Sequence, residues 1–398
     1  MGAINSDHYL DIYMKTSLLI IGAGPFGLAV AAHAQHLGID YVIAGKAMEF
    51  WKNNMPEGMY LRSKCDWHLD PENNWTIENF LASQHLTTTD VEPLSRDFYL
   101  SYTSWFQLQK KIGVLPVYVT RLDVISDHQF HAYTNEGTDI YAENVVVAVG
   151  FKYFQYIPPE LHQMLPSGSY MHTCNYADMA AAAGKRYLII GGRQSAFEWA
   201  ALLSEAGAAS IDLSYRHHSP SFATSDWAWV NTIVEDMAEN PAWFRKLSQE
   251  EKDAVSYRLW TEGRLKIEPW LEKRVMKEHI KLWPLTHVAA CKQLSTGELV
   301  VTLNNGSEVI VDHIILATGY KVDISQVPFI SNGNMMSILS IHNGFPVLDE
   351  HFQSNLPGLF ITSMPASNDF GPFFGFTISA RTSATLIGKE LMKNLKFA

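Results

Sequence analysis

Cysteine is scarce in this chain. Its 398 residues contain three cysteines, Cys65, Cys174 and Cys291, and they lie far apart in the sequence. No two of them form a Cys-x-x-Cys pair, which disfavours both a redox-active dithiol and a zinc ribbon. An odd, sparse count is typical of a reducing compartment. The sequence therefore predicts no disulfide framework and no metal site.

Basic runs and long apolar runs are also missing. The formal net charge is −11, whereas a nucleic-acid surface needs clustered lysine and arginine. No apolar stretch reaches the length of a membrane span. The first fifteen residues lack the cationic start and the apolar core of a secretory signal. We therefore expect no nucleic-acid partner, no membrane partner and a cytoplasmic location.

Apolar residues, in contrast, are plentiful. They make up 47% of the chain, and aromatic residues make up 12%, which is enough for packed cores in two or three domains. Residues 17–21 form an apolar run without alternation, as expected of a strand that is buried on both faces. A glycine-rich turn, a helix-like stretch over residues 26–37 and a second apolar run over residues 41–44 follow. This order predicts a β-α-β unit.

The same plan occurs a second time. Residues 187–190 and 211–215 resemble strands, and a glycine pair and a helical stretch separate them. Each copy ends on a predicted β-meander and an apolar strand, which stop at Gly150 and Gly319. We therefore predict an α/β fold with two dinucleotide-binding Rossmann-like domains, the second inserted in the first. The first domain is assigned to residues 14–155 and 318–398, and the second to residues 156–317.

Residues 219 to about 283 interrupt the second copy. They resemble helices, with a start signal at residues 248–251, and they contain Trp227, Trp229, Trp243, Trp260 and Trp270. We interpret them as a helical insertion that serves either as a substrate lid or as a contact in a homo-oligomer. The tryptophans are more typical of a core or an interface than of a substrate cage.

The first glycine-rich turn, Gly-Ala-Gly-Pro-Phe-Gly over residues 22–27, lies between a predicted strand and a predicted helix. In this context Gly22 permits the tight turn, Gly24 lets a pyrophosphate approach the backbone, and Gly27 lets helix and strand pack closely. The helix N-terminus then attracts the phosphates. Gly45 stands where an acidic residue usually binds the ribose, and Glu49 is the nearest substitute.

The second turn, over residues 191–196, differs from the usual pattern. Arg193 stands at the position of the second glycine, where its side chain either obstructs the pyrophosphate or pairs with it. Arg216, rather than an acid, follows the next strand. An arginine there attracts the 2′-phosphate of NADPH, whereas an acid would repel it. The sequence therefore favours NADPH over NADH.

Several segments resemble those of the class B flavoprotein monooxygenases. Gly168, His172 and Tyr176 match a fingerprint of that family, although Pro166 stands at the position of its opening aromatic residue. Residues 312–320 resemble a second shared signature. Further segments resemble the N-hydroxylating branch or the part of the family that covers the flavin; they are residues 50–59, 95–105, 194–196 and 369–376.

The resemblance implies a set of cofactor contacts. His172 is expected to couple the two domains rather than to transfer a proton. No catalytic residue is assigned. Asp66 and His68 are candidates, but a purely structural role, in which they cap a loop, fits these residues equally well. The residues expected at the FAD and NADPH sites are Gly22, Gly24, Pro25, Gly27, Glu49, Trp51, Arg62, Ser63, His172, Gly191, Gly192, Gln194, Ser195, Arg216, Thr318, Gly319, Tyr320, Phe370 and Gly371.

The resemblance also implies a reaction. NADPH would reduce FAD, the reduced flavin would take up O₂ to give a C4a-peroxyflavin, and one oxygen atom would pass to a small-molecule substrate. An amine nitrogen is the favoured acceptor, with sulfur and a ketone as alternatives. The rival hypotheses are an NADPH oxidase, a flavin-dependent oxidoreductase without oxygen transfer, and a non-catalytic flavin-binding sensor.

Overall fold

A computed structural model of the chain describes residues 13–395. The prediction about a secretory signal concerns residues that lie almost wholly outside this range. The strands are β1 (Tyr13–Ile21), β2 (Tyr41–Ala44), β3 (Val119–Ser126), β4 (Gln129–Thr134), β5 (Asp139–Val147), β6 (Tyr170–His172), β7 (Arg186–Ile190), β8 (Ser210–Tyr215), β9 (Ser221–Phe222), β10 (Lys266–Ile267), β11 (Ile280–Pro284), β12 (Val288–Gln293), β13 (Leu299–Leu303), β14 (Glu308–Val311), β15 (His313–Leu316), β16 (Ile341–His342), β17 (Phe345–Pro346) and β18 (Leu359–Ile361).

The helices connect and cover these strands. They are α1 (Pro25–His36), α2 (Glu49–Asn53), α3 (Ile77–Ser83), α4 (Thr88–Val91), α5 (Arg96–Lys110), α6 (Pro159–Met164), α7 (Gln194–Glu205), α8 (Ala228–Asp236), α9 (Trp243–Lys246), α10 (Gln249–Leu259), α11 (Glu272–Val275), α12 (Pro328–Ser331), α13 (Ser367–Phe370) and α14 (Ala380–Leu395). Within residues 13–395, no helix combines the length and the apolar character that a bilayer crossing requires.

The first sheet has the strand order β2-β1-β5-β4-β3, and β18 also pairs with β5. β1, β2, β5 and β18 are parallel, whereas β4 and β3 continue the sheet antiparallel. The centre of β1 is fully buried at Leu18, Leu19 and Ile20, because helices cover both faces of such a sheet. β18 brings the C-terminal part of the chain back to this sheet, and α14 packs against α1.

One strand is longer than the sequence pattern suggested. We expected residues 138–141 and 145–149 to be separate strands, but β5 runs without a break from Asp139 to Val147 and joins the two. The residues between them include neither glycine nor proline, so nothing interrupts the pairing. Asn144, in this stretch, donates a hydrogen bond from Nδ2 to the carbonyl oxygen of Ser17 at 3.1 Å. A single strand thus belongs to both the meander and the parallel part of the sheet.

The second sheet is fully parallel, with the order β11-β8-β7-β15-β6. The antiparallel strands β12, β13 and β14 form a small meander beside it, as predicted. The α/β fold with two Rossmann-like sheets is therefore confirmed.

The helical insertion between β8 and β11 ends earlier than predicted. It contains α8 to α11, and Ser248 caps the N-terminus of α10 with the expected capping box to Glu251. However, β11 starts at Ile280 and pairs in parallel with β8, so the insertion ends before residue 280 and not near 283. β11 is an edge strand that is partly exposed, and it therefore lacks the continuous apolar run that marks a central strand.

Candidate functional site

The first cleft lies where β1, β2 and β5 end, and its volume is about 810 Å³, counting the part that is open to solvent. Gly22 has φ +111°, and a Cβ atom there would lie 2.4 Å from the carbonyl oxygen of Ala148. A Cβ atom on Gly27 would lie 1.8 Å from the carbonyl oxygen of Gly22, whereas one on Gly24 would meet nothing within 4 Å. Packing thus requires the first and third glycines, and the second keeps the cleft open.

The N-terminus of α1 faces this cleft. Gly24 is its N-cap residue, no side chain caps it, and Pro25 occupies its first turn. The backbone N–H groups of the first turn have no partner inside the helix and therefore attract an anion. A diphosphate fits this cradle.

A charged cluster borders the same cleft. Lys152 donates from Nζ to Oε2 of Glu49 at 2.8 Å, and the Tyr118 hydroxyl donates to Oε1 of the same carboxylate. Burial raises the pKa of Glu49, but the hydrogen bonds from Lys152 and Tyr118 outweigh burial, so the net shift is downward. Glu49 is thus an ionised acceptor beside Lys46 and opposite the glycine turn.

The sequence identified Glu49 but missed its partners. Tyr118 and Lys152 come from distant parts of the chain, and no local pattern marks them. Lys46 directly follows Gly45 at the end of β2, so its place in the chain was a usable signal. Trp51, which was predicted, also lines the first cleft and stacks on Tyr99 with ring centroids 4.7 Å apart.

The second cleft lies at the end of β7 and β8. Gly191 has φ +144°, and a Cβ atom there would lie 2.5 Å from the carbonyl oxygen of Ala317. Gly192 packs equally closely on Tyr215. Arg216 lines this cleft, is exposed, and has no carboxylate partner among the described residues. Arg216 thus places a positive charge directly after β8, on the wall of the second cleft, as the sequence predicts.

A third cleft, called the central cleft below, lies between the two sheets and the insertion. It encloses about 1600 Å³, counting the part that is open to solvent. Phe151 borders both this cleft and the first one, while Arg193 and Thr318 border both this cleft and the second one. Its lining residues are Met59, Tyr60, Leu61, Arg62, Ser63, Trp67, Phe151, Thr173, Arg193, Gln194, Ser195, Trp227, Trp260, Arg264, Ala317, Thr318, Gly319, Tyr320, Met364 and Phe376.

The central cleft brings together predicted and unpredicted residues. Seven predicted residues line it: Arg62, Ser63, Gln194, Ser195, Thr318, Gly319 and Tyr320. Sequence reasoning missed Trp227, Trp260 and Arg264 on the insertion and Met364 and Phe376 near the C-terminus. The concentration of tryptophan in the insertion was a signal, but it favoured a core or an interface.

Half-buried polar contacts join the insertion to both nucleotide-binding units beside this cleft. Arg62 pairs with Glu268, with Nε 2.9 Å from Oε1, and also donates to the carbonyl oxygen of Gly263 at 2.7 Å. The backbone N–H of Glu268 donates to Oε1 of Gln194 at 3.1 Å. The predicted cofactor residues Arg62 and Gln194 therefore hold the insertion in place.

Glu198, one turn further along α7, is fully buried and accepts a hydrogen bond from the backbone N–H of Tyr60 at 2.6 Å. Burial raises the pKa of Glu198 to about 8, although the Tyr60 N–H and Arg274 oppose the shift. The side chain is therefore neutral in the folded protein at neutral pH. It connects the second sheet to residues 59–62 without adding a charge.

We expect Glu198→Gln to flatten the pH dependence of stability. The pKa of Glu198 is about 8 in the folded protein, against an ordinary value of 4.5. Protonated Glu198 therefore stabilises the folded state fully below pH 4.5, and this stabilisation is lost as the pH rises towards about 8. The loss is on the order of a few kcal/mol, because one pKa unit corresponds to about 1.4 kcal/mol. Urea unfolding of both proteins across this range measures it. Parallel curves for the two proteins would contradict the assignment.

His172 does not line any of the three clefts. It is buried at the end of β6, with Nε2 3.0 Å from the carbonyl oxygen of Gly319 and its ring edge-on to Tyr320. Burial lowers the pKa of His172, and the Gly319 carbonyl only partly opposes this. A neutral imidazole thus joins β6 to the turn of residues 318–320. This position agrees with a role in coupling, and the ring lines none of the three clefts.

Besides Gly27, which packs against the turn, four other predicted residues do not line any of the three clefts. Asp66 accepts a hydrogen bond from Asn231 at 2.6 Å, and His68 is buried with Nε2 2.9 Å from Nη1 of Arg381. Burial lowers the pKa of His68 to about 4, with a further contribution from Arg381. Phe370 stacks on Phe352 in the core, with ring centroids 3.7 Å apart, and Gly371 packs under Phe373. Their geometry lends no support to catalytic or cofactor roles, because Asp66 and His68 bind to helices α8 and α14 and the other two residues pack in the core.

Comparisons with known proteins agree with this architecture. The family model described as pyridine nucleotide-disulphide oxidoreductase matches residues 19–258. Trimethylamine monooxygenase of Pelagibacter sp. is 21% identical over 68% of this chain and 66% of its own length, just under two thirds. Probable indole-3-pyruvate monooxygenase YUCCA8 of Arabidopsis thaliana is 23% identical over 86% of this chain and 82% of its own length.

One solved structure extends the comparison to the fold. The ornithine N-hydroxylase of Kutzneria sp. 744, with reduced FAD, NADP⁺ and its substrate, superposes with a TM-score of 0.79. The alignment covers 96% of this chain and 100% of that one at 13% identity. At this identity the likeness establishes the fold alone.

Proposed function

The chain belongs to the pyridine nucleotide-disulphide oxidoreductase family, and from this premise we propose that it is an FAD-dependent, NADPH-consuming monooxygenase. It would transfer one oxygen atom from O₂ to a small-molecule substrate, with an amine nitrogen as the favoured acceptor. The observation that carries the proposal is the contact of the central cleft with both glycine-turn clefts, through Phe151 on one side and through Arg193 and Thr318 on the other.

Thiol chemistry, which the family description includes, finds no support in this chain. None of its cysteines lines the central cleft. Cys65 and Cys174 are buried, and burial raises the pKa of their thiols to about 12 and about 11. Because the thiolate is the reactive form, neither is suited to exchange with a disulfide.

The residues of the first cleft fit FAD. The open side of Gly24 and the N-terminus of α1 would hold its diphosphate, and Glu49 would accept hydrogen bonds from its ribose. The second cleft fits NADPH, with Gly191 and Gly192 at the diphosphate and Arg216 at the 2′-phosphate. We propose residues 14–155 with 318–398 as the FAD domain and residues 156–317 as the NADPH domain.

When bound, FAD would supply hydride acceptance and oxygen activation. The protein would supply position and a dry environment. Trp67, Trp227 and Phe376 form apolar walls of the central cleft and would exclude water from the reacting atoms. The hydrogen bond from the backbone N–H of Glu268 to Gln194 would fix the start of α7 at the border between the second cleft and the central cleft.

The balance of electrons tests this function. NADPH oxidation, O₂ uptake, hydrogen peroxide and oxygenated product are measured together with a series of amines, sulfides and ketones. A monooxygenase gives product with an accepted substrate and less peroxide than NADPH consumed. If all electrons appear as peroxide with every compound, the chain is an NADPH oxidase; if NADPH never reduces the flavin, the sensor hypothesis is favoured.

His172→Ala is expected to uncouple the reaction while FAD stays bound. The variant loses the contact between β6 and Gly319, and His172 lies outside the FAD cleft. A buried hydrogen bond contributes about 0.5–1.5 kcal/mol, so we expect roughly a two- to tenfold rise in the ratio of peroxide to product. His313→Ala, on the exposed side of β15, is the matched control. An unchanged ratio in His172→Ala would exclude the coupling role.

A further inference from the structure

The charged side chains on the wall of the central cleft all have one sign. The described residues that line it include Arg62, Arg193 and Arg264 but no aspartate, glutamate, lysine or histidine. Arg62 is neutralised by Glu268, which lies behind the wall. Arg193 and Arg264 make no ion pair with any residue in the range 13–395. The cleft therefore carries two uncompensated positive charges.

The insertion positions both of these arginines. Residues Trp260–Arg264 form a π-helical turn, a geometry that is frequent at functional sites. The guanidinium carbon of Arg193 lies 4.4 Å from the ring centre of Trp260, and Nη1 of Arg193 donates to the carbonyl oxygen of Arg264 at 3.2 Å. A guanidinium has five N–H donors, so most of those on Arg193 remain available.

Arg264 has still fewer protein contacts. Its side chain is exposed to the cleft, and no side-chain hydrogen bond joins it to another described residue. Desolvation of the guanidinium lowers the pKa of Arg264, and the nearby positive charge of Arg62 lowers it further. Bringing like charges together costs free energy that a bound anion would offset.

Aromatic rings flank these charges. Trp227 lies under the guanidinium of Arg62, with 5.1 Å from its ring centre to the guanidinium carbon. Gly263 permits this packing, because a Cβ atom there would lie 2.2 Å from the Trp227 ring. Trp227 thus lies against Arg62 and Trp260 lies against Arg193, so the site combines an apolar wall with a cationic end.

We propose that the substrate of the central cleft carries an anionic oxygen group, a carboxylate or a phosphate monoester, which Arg264 and Arg193 bind, while Trp227 and Trp260 cover its apolar part. The inference rests on the proposed function, since it takes the central cleft as the substrate site. The phosphates of NADPH are the competing anion. Arg193 borders both clefts, but Arg264 borders only the central one, so Arg264 distinguishes the two.

A binding experiment on the oxidised, FAD-loaded protein tests the proposal without turnover. Phenylpropionate, phenyl phosphate and the neutral phenylpropionamide are titrated separately, and each dissociation constant is read from the visible spectrum of the flavin. At least one anion should bind about tenfold or more tightly than the amide. Arg264→Gln should remove this advantage and leave the affinity for NADP⁺ and the FAD content unchanged.

The chain offers a matched control for the substitution. Arg258 lies 4.3 Å above Trp229 on the neighbouring helix, is exposed, and does not line the cleft. Arg258→Gln removes the same charge from the same insertion, but outside the cleft, and should change no dissociation constant. An equal effect of both substitutions would point to general electrostatics and overturn the site.

The remaining outcomes are decisive as well. If neither anion perturbs the flavin, if anion and amide bind equally, or if Arg264→Gln weakens NADP⁺ binding instead, the proposal is wrong. Because the measurement uses no oxygen and no NADPH oxidation, its result is independent of the oxygenase assignment. If the protein binds the anion but releases all electrons as peroxide, the anion site is supported and the monooxygenase assignment is wrong.

Discussion

Gly24→Leu should give a folded protein that is colourless and cannot be reconstituted with FAD. Gly24 has an extended backbone that any residue adopts, and a Cβ atom there meets no protein atom within 4 Å. A leucine side chain would instead occupy the cradle at the N-terminus of α1, where the diphosphate must approach the backbone. Flavin absorbance per mole of protein, before and after incubation with FAD, measures the loss, and we expect it to be near complete.

Two other glycines separate loss of the cofactor from loss of the fold. Gly113 is exposed, also has free space around it, and lies outside the first cleft, so Gly113→Leu should keep its FAD. Gly27→Leu should fail to fold, because its Cβ atom would lie 1.8 Å from the carbonyl oxygen of Gly22. If the Gly24→Leu protein is yellow and has the flavin content of the wild-type protein, the assignment of the first cleft as the FAD site is wrong.

Arg216→Ala should abolish most of the preference for NADPH over NADH. Arg216 is the exposed cation at the end of β8, on the wall of the second cleft. A guanidinium–phosphate contact contributes about 1.5–3 kcal/mol, which corresponds to a loss of roughly tenfold to a hundredfold in kcat/KM for NADPH. The value for NADH should hardly change, because NADH has no 2′-phosphate. Anaerobic flavin reduction with each cofactor gives both numbers.

Two comparisons make the cofactor experiment specific. Arg216→Lys keeps the charge without the fork of donors and should recover part of the preference. Arg258→Ala removes an exposed arginine that lies outside the second cleft, and it should leave the preference for NADPH unchanged. Equal reduction rates with NADPH and NADH in the wild-type protein would show that Arg216 does not bind the phosphate.

The sequence alone determined the two nucleotide-binding units of the fold. Gly27 is required because a Cβ atom there would lie 1.8 Å from the carbonyl oxygen of Gly22 in the same turn, so this requirement is recorded in adjacent residues. Gly22 and Gly191 have φ of +111° and +144°, which favour glycine whatever surrounds them. Buried parallel strands likewise give uninterrupted apolar runs. Even Arg216 was accessible to sequence reasoning, because the end of a strand next to a glycine turn has a fixed place in this fold.

Only the tertiary structure decided which side chains meet. Glu49 acquires Tyr118 and Lys152 from separate elements, and Arg62 acquires Glu268 from an insertion more than two hundred residues later. Asp66 and His68 follow the segment that enters the central cleft, yet they turn to Asn231 and Arg381 instead.

The physical reason is the range of the interactions. A glycine turn, a cap or a buried strand is selected by sterics and hydrogen bonds among neighbours in the chain, which a sequence pattern records directly. The arginines and tryptophans of the central cleft come together only because the insertion packs against both sheets. Their joint chemistry depends on contacts between residues far apart in sequence, and no local pattern contains that information.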